Sequence, residues 1–428
     1  MEKYEVIVAG GGFAGTAAAV SAARHGADVL LIEYNNCLGG AAAECLVNPF
    51  MPYWTKDENK NKIYLSTGIF TEICEGIARL TAEVDGTEYE PCVKPMTTFN
   101  EEYLKIVLQR MALDAGVKLL FHTRVIGVHK DEDGGRIRTV TVSNKSGIYD
   151  IEGDCFIDAT GDADLSAYAG CPVRLGREAD GLCQPMTLCF RVSNVDIPRF
   201  NSARSDIQKL YKQMRAEGKI KNVREDILIF PTTSDNILHF NSTRIVKHSP
   251  VDAQDVTRAE IEVREQVIEL FAFLKKHAPG FENAVLVSSG MRIGVRESRM
   301  IEGDYVLTQE DLVGCVKFED SISACNYDID IHNPEGSGTS HYYFKDGTYY
   351  TIPYRCLTAK NNTNLLVAGR CISSTHEAQA SYRIMPTCCT LGQAAGTAAA
   401  MAVRTGGDVR NIDVAELRKN LKNDGMFI

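Results

Sequence analysis

Residues 4–15 read Tyr-Glu-Val-Ile-Val-Ala-Gly-Gly-Gly-Phe-Ala-Gly, an apolar run that meets glycines at the spacing Gly10-x-Gly12-x-x-Gly15. The run has the length of a buried strand. The alanine-rich residues 13–25 predict a helix that Gly26 stops, and residues 28–33 predict a second strand ending at Glu33. In such a βαβ unit the first glycine allows a tight turn. The second lets the backbone approach a pyrophosphate, and the third lets helix and strand pack closely. The start of the helix offers free N–H groups and the positive end of its dipole to phosphates. Glu33 is placed to accept from the ribose hydroxyls of an adenine dinucleotide.

The chain has 428 residues, of which 44% are apolar and 24% charged, with a formal charge of −10. That length exceeds a single core and predicts two domains. The negative charge disfavours nucleic acid and anionic membranes as partners. No apolar run is long enough to span a bilayer. A strand that begins directly after Met1-Glu2-Lys3 leaves no room for a targeting segment, so a cytoplasmic location is expected. The 14 cysteines lack the short pairings that hold zinc or iron–sulfur clusters. Cys74, Cys155, Cys189 and Cys356 are read as reduced core residues, and no metal is expected.

Between Ala41 and Pro95 the pattern breaks at Pro49, Pro52, Trp54 and Pro91, which predicts ligand-covering loops around one helix near Ile69 to Leu80. A second helix is predicted from about Glu101 to Ala115, with Thr98 and Glu101 as a capping box and Leu104, Val107, Leu108 and Met111 facing the core. Alternation around turns at 131–135 and 144–147 predicts three antiparallel strands that end in the run from Cys155 to Gly161. From about 175 to 350 strands mix with a long helix, about Arg258 to His277, opened by Thr257 and Glu260 and carrying Ile261, Val267, Ile268, Phe271 and Leu274. The first rhythm then returns: a strand from Asn364 to Ala368 leads to Gly369, and a small-residue helix runs from about Thr387 to Arg404. The predicted class is α/β. A Rossmann-like nucleotide-binding domain with a parallel sheet and a three-stranded antiparallel meander takes residues 1–175 and 351–428. A mixed α+β substrate or cap domain takes residues 176–350.

Glu33, the Gly39-Gly40 pair, the strand ending in Ala159-Thr160-Gly161-Asp162 and the turn Gly369-Arg370 ahead of a small-residue helix form a set. This set resembles the glutathione-reductase-like (two-dinucleotide-binding) FAD superfamily, and most closely its bacterial FAD-dependent oxidoreductases. The resemblance covers nearly the whole chain and implies non-covalent FAD. It implies that the loop Gly10, Gly12, Phe13, Ala14 and Gly15 takes the pyrophosphate, that Glu33, with Tyr34 and Asn35, takes the adenosine ribose, and that Arg124-Val125 lies by the adenine. Gly39-Gly40 would pass the pyrophosphate or ribityl chain, with Ala159, Gly161, Asp162, Gly369 and Arg370 alongside. Met385-Pro386-Thr387 would start a helix aimed at the flavin pyrimidine ring, where its positive end stabilises charge on the reduced flavin. Small residues such as Gly392 and Gly396 also serve close helix packing.

Departures narrow the expectation. No cysteine pair follows the Gly39-Gly40 loop, no second Gly-x-Gly-x-x-Gly marks an NAD(P)H domain, and no histidine stands at residues 41–43 to tether a flavin. Gly369-Arg370 replaces the Gly-Asp of many relatives.

Candidates for the chemistry are His332, His376, Arg296 and Arg383. A histidine that titrates near neutrality suits proton transfer, and arginine forks suit carboxylate or phosphate. Arg292, Arg296, Glu297 and Arg299 cluster in sequence, and the plain reading of Glu297 is an ion pair with a neighbouring arginine. The leading expectation is an FAD-dependent oxidoreductase that transfers a hydride between flavin N5 and a small polar substrate, anionic or hydroxylated. A diffusible electron acceptor or a redox partner completes the circuit, and a homo-oligomer is compatible with the sequence. An electron-transfer flavoprotein subunit and a thiazole-synthase-like dinucleotide-binding protein are the alternatives.

Overall fold

The computed structural model describes residues 2–86 and 98–428, so Pro91 and Pro95 lie outside the described residues. In the main sheet the strand Lys3–Ala9 lies between Val29–Ile32 and Gly147–Asp158, parallel to both. Lys118–Leu120 extends the sheet beyond Val29–Ile32, and Leu365–Val367 adds parallel to residues Phe156, Ile157 and Asp158. Val29, Leu30, Leu31 and Ile32 are all buried, as are Val6 to Ala9, because helices cover both faces of a parallel sheet. Gly147–Asp158 changes partner along its length. Its first half pairs antiparallel with Ile137–Asn144, which pairs with Arg124–Lys130, and its second half joins the parallel core.

The first helix, Phe13–Arg24, packs along the small-residue helix Met385–Arg404. A Cβ added to Gly392 would lie 2.0 Å from the Ala14 carbonyl oxygen, and one added to Gly396 would lie 2.1 Å from that of Ala18. Both contacts advance by four residues, so the helices run parallel with their N-termini pointing the same way. The later helix begins about two turns before the register of the first, roughly 9 Å further along the axis.

A second apolar cluster, from Met186 to Ile293, fills one side of an antiparallel sheet of Ile229–Pro231, Leu238–Phe240, Phe190–Ser193 and Val285–Ser289. Helices Ile197–Ala216 and Ala253–His277 cover that side. Buried residues between Ile301 and Tyr354 belong instead to the first cluster. No helix among the described residues is long and apolar enough to cross a membrane.

Two local expectations change. Asn100, not Thr98, caps the helix Glu101–Asp114 by accepting from the Glu102 N–H, because Glu101 is drawn inward to Asn48 and Arg191. The long helix starts at Ala253 with Asp252 as its cap, and Ile261 and Ile268 are 63% and 54% exposed. Its core face is instead Ala259, Val263, Val267, Leu270 and Leu274, so two of the apolar residues used to predict it point away from the sheet.

Candidate functional site

At the glycine fingerprint, Gly10 turns with φ +98°, and a Cβ on Gly15 would lie 1.7 Å from the Gly10 carbonyl oxygen. A Cβ on Gly10 would meet the Ala159 carbonyl oxygen at 2.5 Å, which joins the ends of two parallel strands. The first turn of the first helix, at Phe13 and Ala14, has neither a side-chain cap nor an acidic residue. Gly39 donates to the Gly11 carbonyl, and a Cβ on Gly40 would lie 2.9 Å from the Gly12 Cα, so the two glycine loops touch. Glu33 is buried, accepting from Gly11 N–H at 2.5 Å through one oxygen and from Asn35 through the other. The Arg124 guanidinium lies over the Tyr34 ring at 4.2 Å, next to buried Val125.

Further along, Gly161 lies under Arg370, whose Nη2 is 2.5 Å from Asp162. Gly369 abuts Ala14 of the first helix. Met385 and Pro386 open the small-residue helix without a capping side chain or an acidic residue in its first turn. Arg370 Nη1 and Thr387 Oγ1 are buried without a hydrogen-bond partner. Two uncapped helix starts, a glycine cradle and unpartnered donors fit a long ligand with a pyrophosphate at one end and ring acceptors at the other. They fit FAD.

A family profile described as FAD dependent oxidoreductase matches residues 5–421. The chain belongs to that family. It is therefore a flavoenzyme whose cofactor is FAD. No curated protein matches it. Among solved structures it is similar to a geranylgeranyl bacteriochlorophyll reductase-like protein from Thermoplasma acidophilum, with 14% identity, 99% of this chain and 84% of that one covered, and a TM-score of 0.47. It is also similar to the flavin-dependent brominase Bmp2, with 13% identity, 98% and 83% covered, and a TM-score of 0.49. A third likeness is to the p-nitrophenol 4-monooxygenase PnpA from Pseudomonas putida DLL-E4, with 11% identity, 99% and 87% covered, and a TM-score of 0.48.

The four chemical candidates of this oxidoreductase fall into two linked groups. His376 opens the short helix His376–Tyr382, and its Nδ1 is 2.7 Å from Glu297 Oε1, both side chains being buried. Its Nε2 makes no hydrogen bond among the described residues. The second oxygen of Glu297 accepts from the Gln184 N–H, so the expected pairing of Glu297 with a neighbouring arginine does not occur. Arg292 pairs with Glu44 and Arg299 with Asp164 instead.

At the far end of that seven-residue helix stands Arg383, roughly 10 Å from His376 along the axis. Arg383, His332 and Tyr327 all reach Asp330 Oδ2, at 3.4, 3.3 and 3.3 Å. Arg244, almost fully buried, donates to His332 Nδ1 at 3.0 Å, so the ring proton sits on Nε2, facing Asp330. Both His332 nitrogens are thus engaged. Burial and the nearby Arg296 push its pKa down to about 3. Arg296 donates to the Pro185 carbonyl, Thr187 Oγ1 and Asn241 Oδ1, and burial with three other guanidiniums lowers it to about 9. Gln184 joins the groups, accepting from the His332 N–H and donating to Gln379, which donates to the Arg296 carbonyl. Gln184, Arg244 and Asp330 were not singled out as site residues by sequence reasoning. Lone polar residues in strands and loops carry no periodic signal, and the partners of Gln184 and Arg244 lie far away in the chain.

Proposed function

We propose that the enzyme moves a hydride between a small polar substrate, anionic or hydroxylated, and non-covalently held FAD, with His376 handling the accompanying proton. The His376–Glu297 pair carries this reading. A buried carboxylate on Nδ1 holds the tautomer that leaves Nε2 as the acceptor, and it stabilises the imidazolium that forms. In the oxidative direction the substrate's O–H or N–H proton goes to Nε2 while its C–H hydrogen leaves as hydride. Bound FAD supplies a two-electron acceptor at flavin N5. Arg296 and Arg383 bind a substrate anion, and the unpartnered Arg383 Nε is a donor available to it. His332 orients this group rather than accepting a proton, since Arg244 occupies its acceptor nitrogen.

The residues that would hold FAD are those of the resemblance. Gly10, Gly12, Phe13, Ala14 and Gly15 take the pyrophosphate; Glu33, Tyr34 and Asn35 take the ribose; Arg124 and Val125 flank the adenine. Gly39, Gly40, Ala159, Gly161, Asp162, Gly369 and Arg370 line the middle, and Met385, Pro386 and Thr387 face the flavin. On this reading residues 1–175 and 351–428 form the FAD-binding domain of a glutathione-reductase-like enzyme, and 176–350 supply the cap, with the apolar residues from Ile301 onward packed into the first core.

Anaerobic mixing of the purified flavoenzyme with hydroxy acids, amino acids and sugar acids tests the proposal. A member of the panel should bleach the visible flavin band, and His376→Asn should slow that bleaching about 100-fold at unchanged FAD content. The reading fails if only a protein partner reduces the flavin, or if the variant reduces at the wild-type rate.

A further inference from the structure

The antiparallel sheet of the second cluster has two unlike faces. Leu238, Phe240, Phe190 and Val192 point into the apolar cluster. By alternation, His239 on the same strand points the other way, and the pairing register places it between Phe230 and Arg191. That second face looks onto the nucleotide-binding side of the molecule. Arg191 reaches across to Glu101, and a Cβ on Gly290 would touch Cys45, just beyond the Gly39-Gly40 loop. At one end of the face Asn241 and Thr187 hold the Arg296 guanidinium.

His239 is 1% exposed, and neither ring nitrogen has a hydrogen-bond partner; Arg191 Nε beside it has none either. Burial and the adjacent Arg191 push the imidazole pKa down to about 3, so near neutral pH the ring offers one donor and one acceptor. A buried imidazole that serves only packing loses both hydrogen bonds it makes with water in the unfolded chain. One that waits for a ligand regains them on binding. Two residues along an extended strand separate His239 from Asn241, whose side chain holds Arg296, by roughly 7 Å.

We propose that His239 is a specificity-determining residue of the same site, and that with Arg296 it selects an elongated hydroxylated acid. The carboxylate sits on Arg296, and a hydroxyl or carbonyl group roughly 7 Å away sits on the His239 imidazole. This rests on the reading of Arg296 as the anion-binding residue. It excludes compact 2-hydroxy acids, whose hydroxyl lies beside the carboxylate.

The test uses the FAD-loaded enzyme, with the flavin absorption band as the readout, titrated with two six-carbon acids, D-gluconate and hexanoate. Wild type should respond to gluconate at about tenfold lower concentration than to hexanoate, one distal hydrogen-bonded group being worth that ratio. His239→Leu should bring the two within twofold while leaving the melting temperature unchanged or higher, since it removes an unpartnered polar group. His239→Gln, which keeps a donor and an acceptor, should retain the preference and serves as the second variant should the leucine protein not fold. A preference unchanged in both variants overturns the proposal. So does a leucine variant that melts several degrees lower, which marks a structural residue. Arg296→Gln should weaken both acids about tenfold; if it weakens neither, the anion-binding reading itself fails. Failure of both acids to perturb the flavin overturns both readings.

Discussion

The Asp330 carboxylate receives Arg383, His332 and the Tyr327 hydroxyl, and it stands among more arginines than it can neutralise. Burial would raise its pKa, but His332, Arg383 and Arg296 outweigh burial and hold it well below the carboxylate range. A depressed pKa contributes stability that is present above the ordinary value of about 4 and is lost as the pH falls toward the folded one. Asp330→Asn should therefore cost about 3 kcal/mol at pH 7, with the gap to wild type narrowing below about pH 4, as read by chemical denaturation at each pH. Glu44 has the opposite sign. Burial pushes it up to about 7 against the pull of Arg292. Its contribution to stability is present below the ordinary value and is lost as the pH rises through about 7, so Glu44→Gln should raise the melting temperature of the cofactor-free protein at pH 8 and leave it unchanged near pH 4. The glycines of the fingerprint and Glu33 were legible because their signal is local: a spacing, a strand before and a helix after. The pairing of His376 with Glu297 was not, because it joins residues 79 positions apart and nothing in either segment encodes the distance between them.

Helices and strands were legible in proportion to how one-sided they are. The all-apolar strand Val29–Ile32 and the alanine-rich first helix leave no choice of face. The long helix Ala253–His277 has apolar residues on more than one side, so periodicity found the element and placed Val267 and Leu274 in the core but also counted Ile261 and Ile268, which are exposed. Between the helices Phe13–Arg24 and Met385–Arg404, contact is backbone against backbone, and a single methyl group is too large for it. Gly396→Ala would push its Cβ into the Ala18 carbonyl and should destabilise the protein by about 3 kcal/mol, with FAD lost on gel filtration, because both helix starts move together. Calorimetry and the ratio of visible to ultraviolet absorbance measure the two effects.

Across the whole molecule, the net charge of −10 hides a local excess of the opposite sign near Asp330, where Arg244, Arg296 and Arg383 gather. Composition therefore disfavoured nucleic acid as a partner but could not reveal this local cationic cluster. Chain order has its own effect. The strand Gly147–Asp158 acquires its antiparallel partners and Lys3–Ala9 from residues already made, but its last three residues pair on the other side only with Leu365–Val367. At ordinary rates of synthesis, roughly ten to forty seconds separate the emergence of these two segments. A chain cut after residue 350 should accumulate as aggregate, and supplying residues 351–428 as a separate polypeptide during synthesis should restore soluble, yellow protein. For that interval the nascent nucleotide-binding unit presents an open sheet edge of the kind that recruits other chains, so the yield of enzyme in a cell depends on what shields Phe156, Ile157 and Asp158 until the end of the message is read.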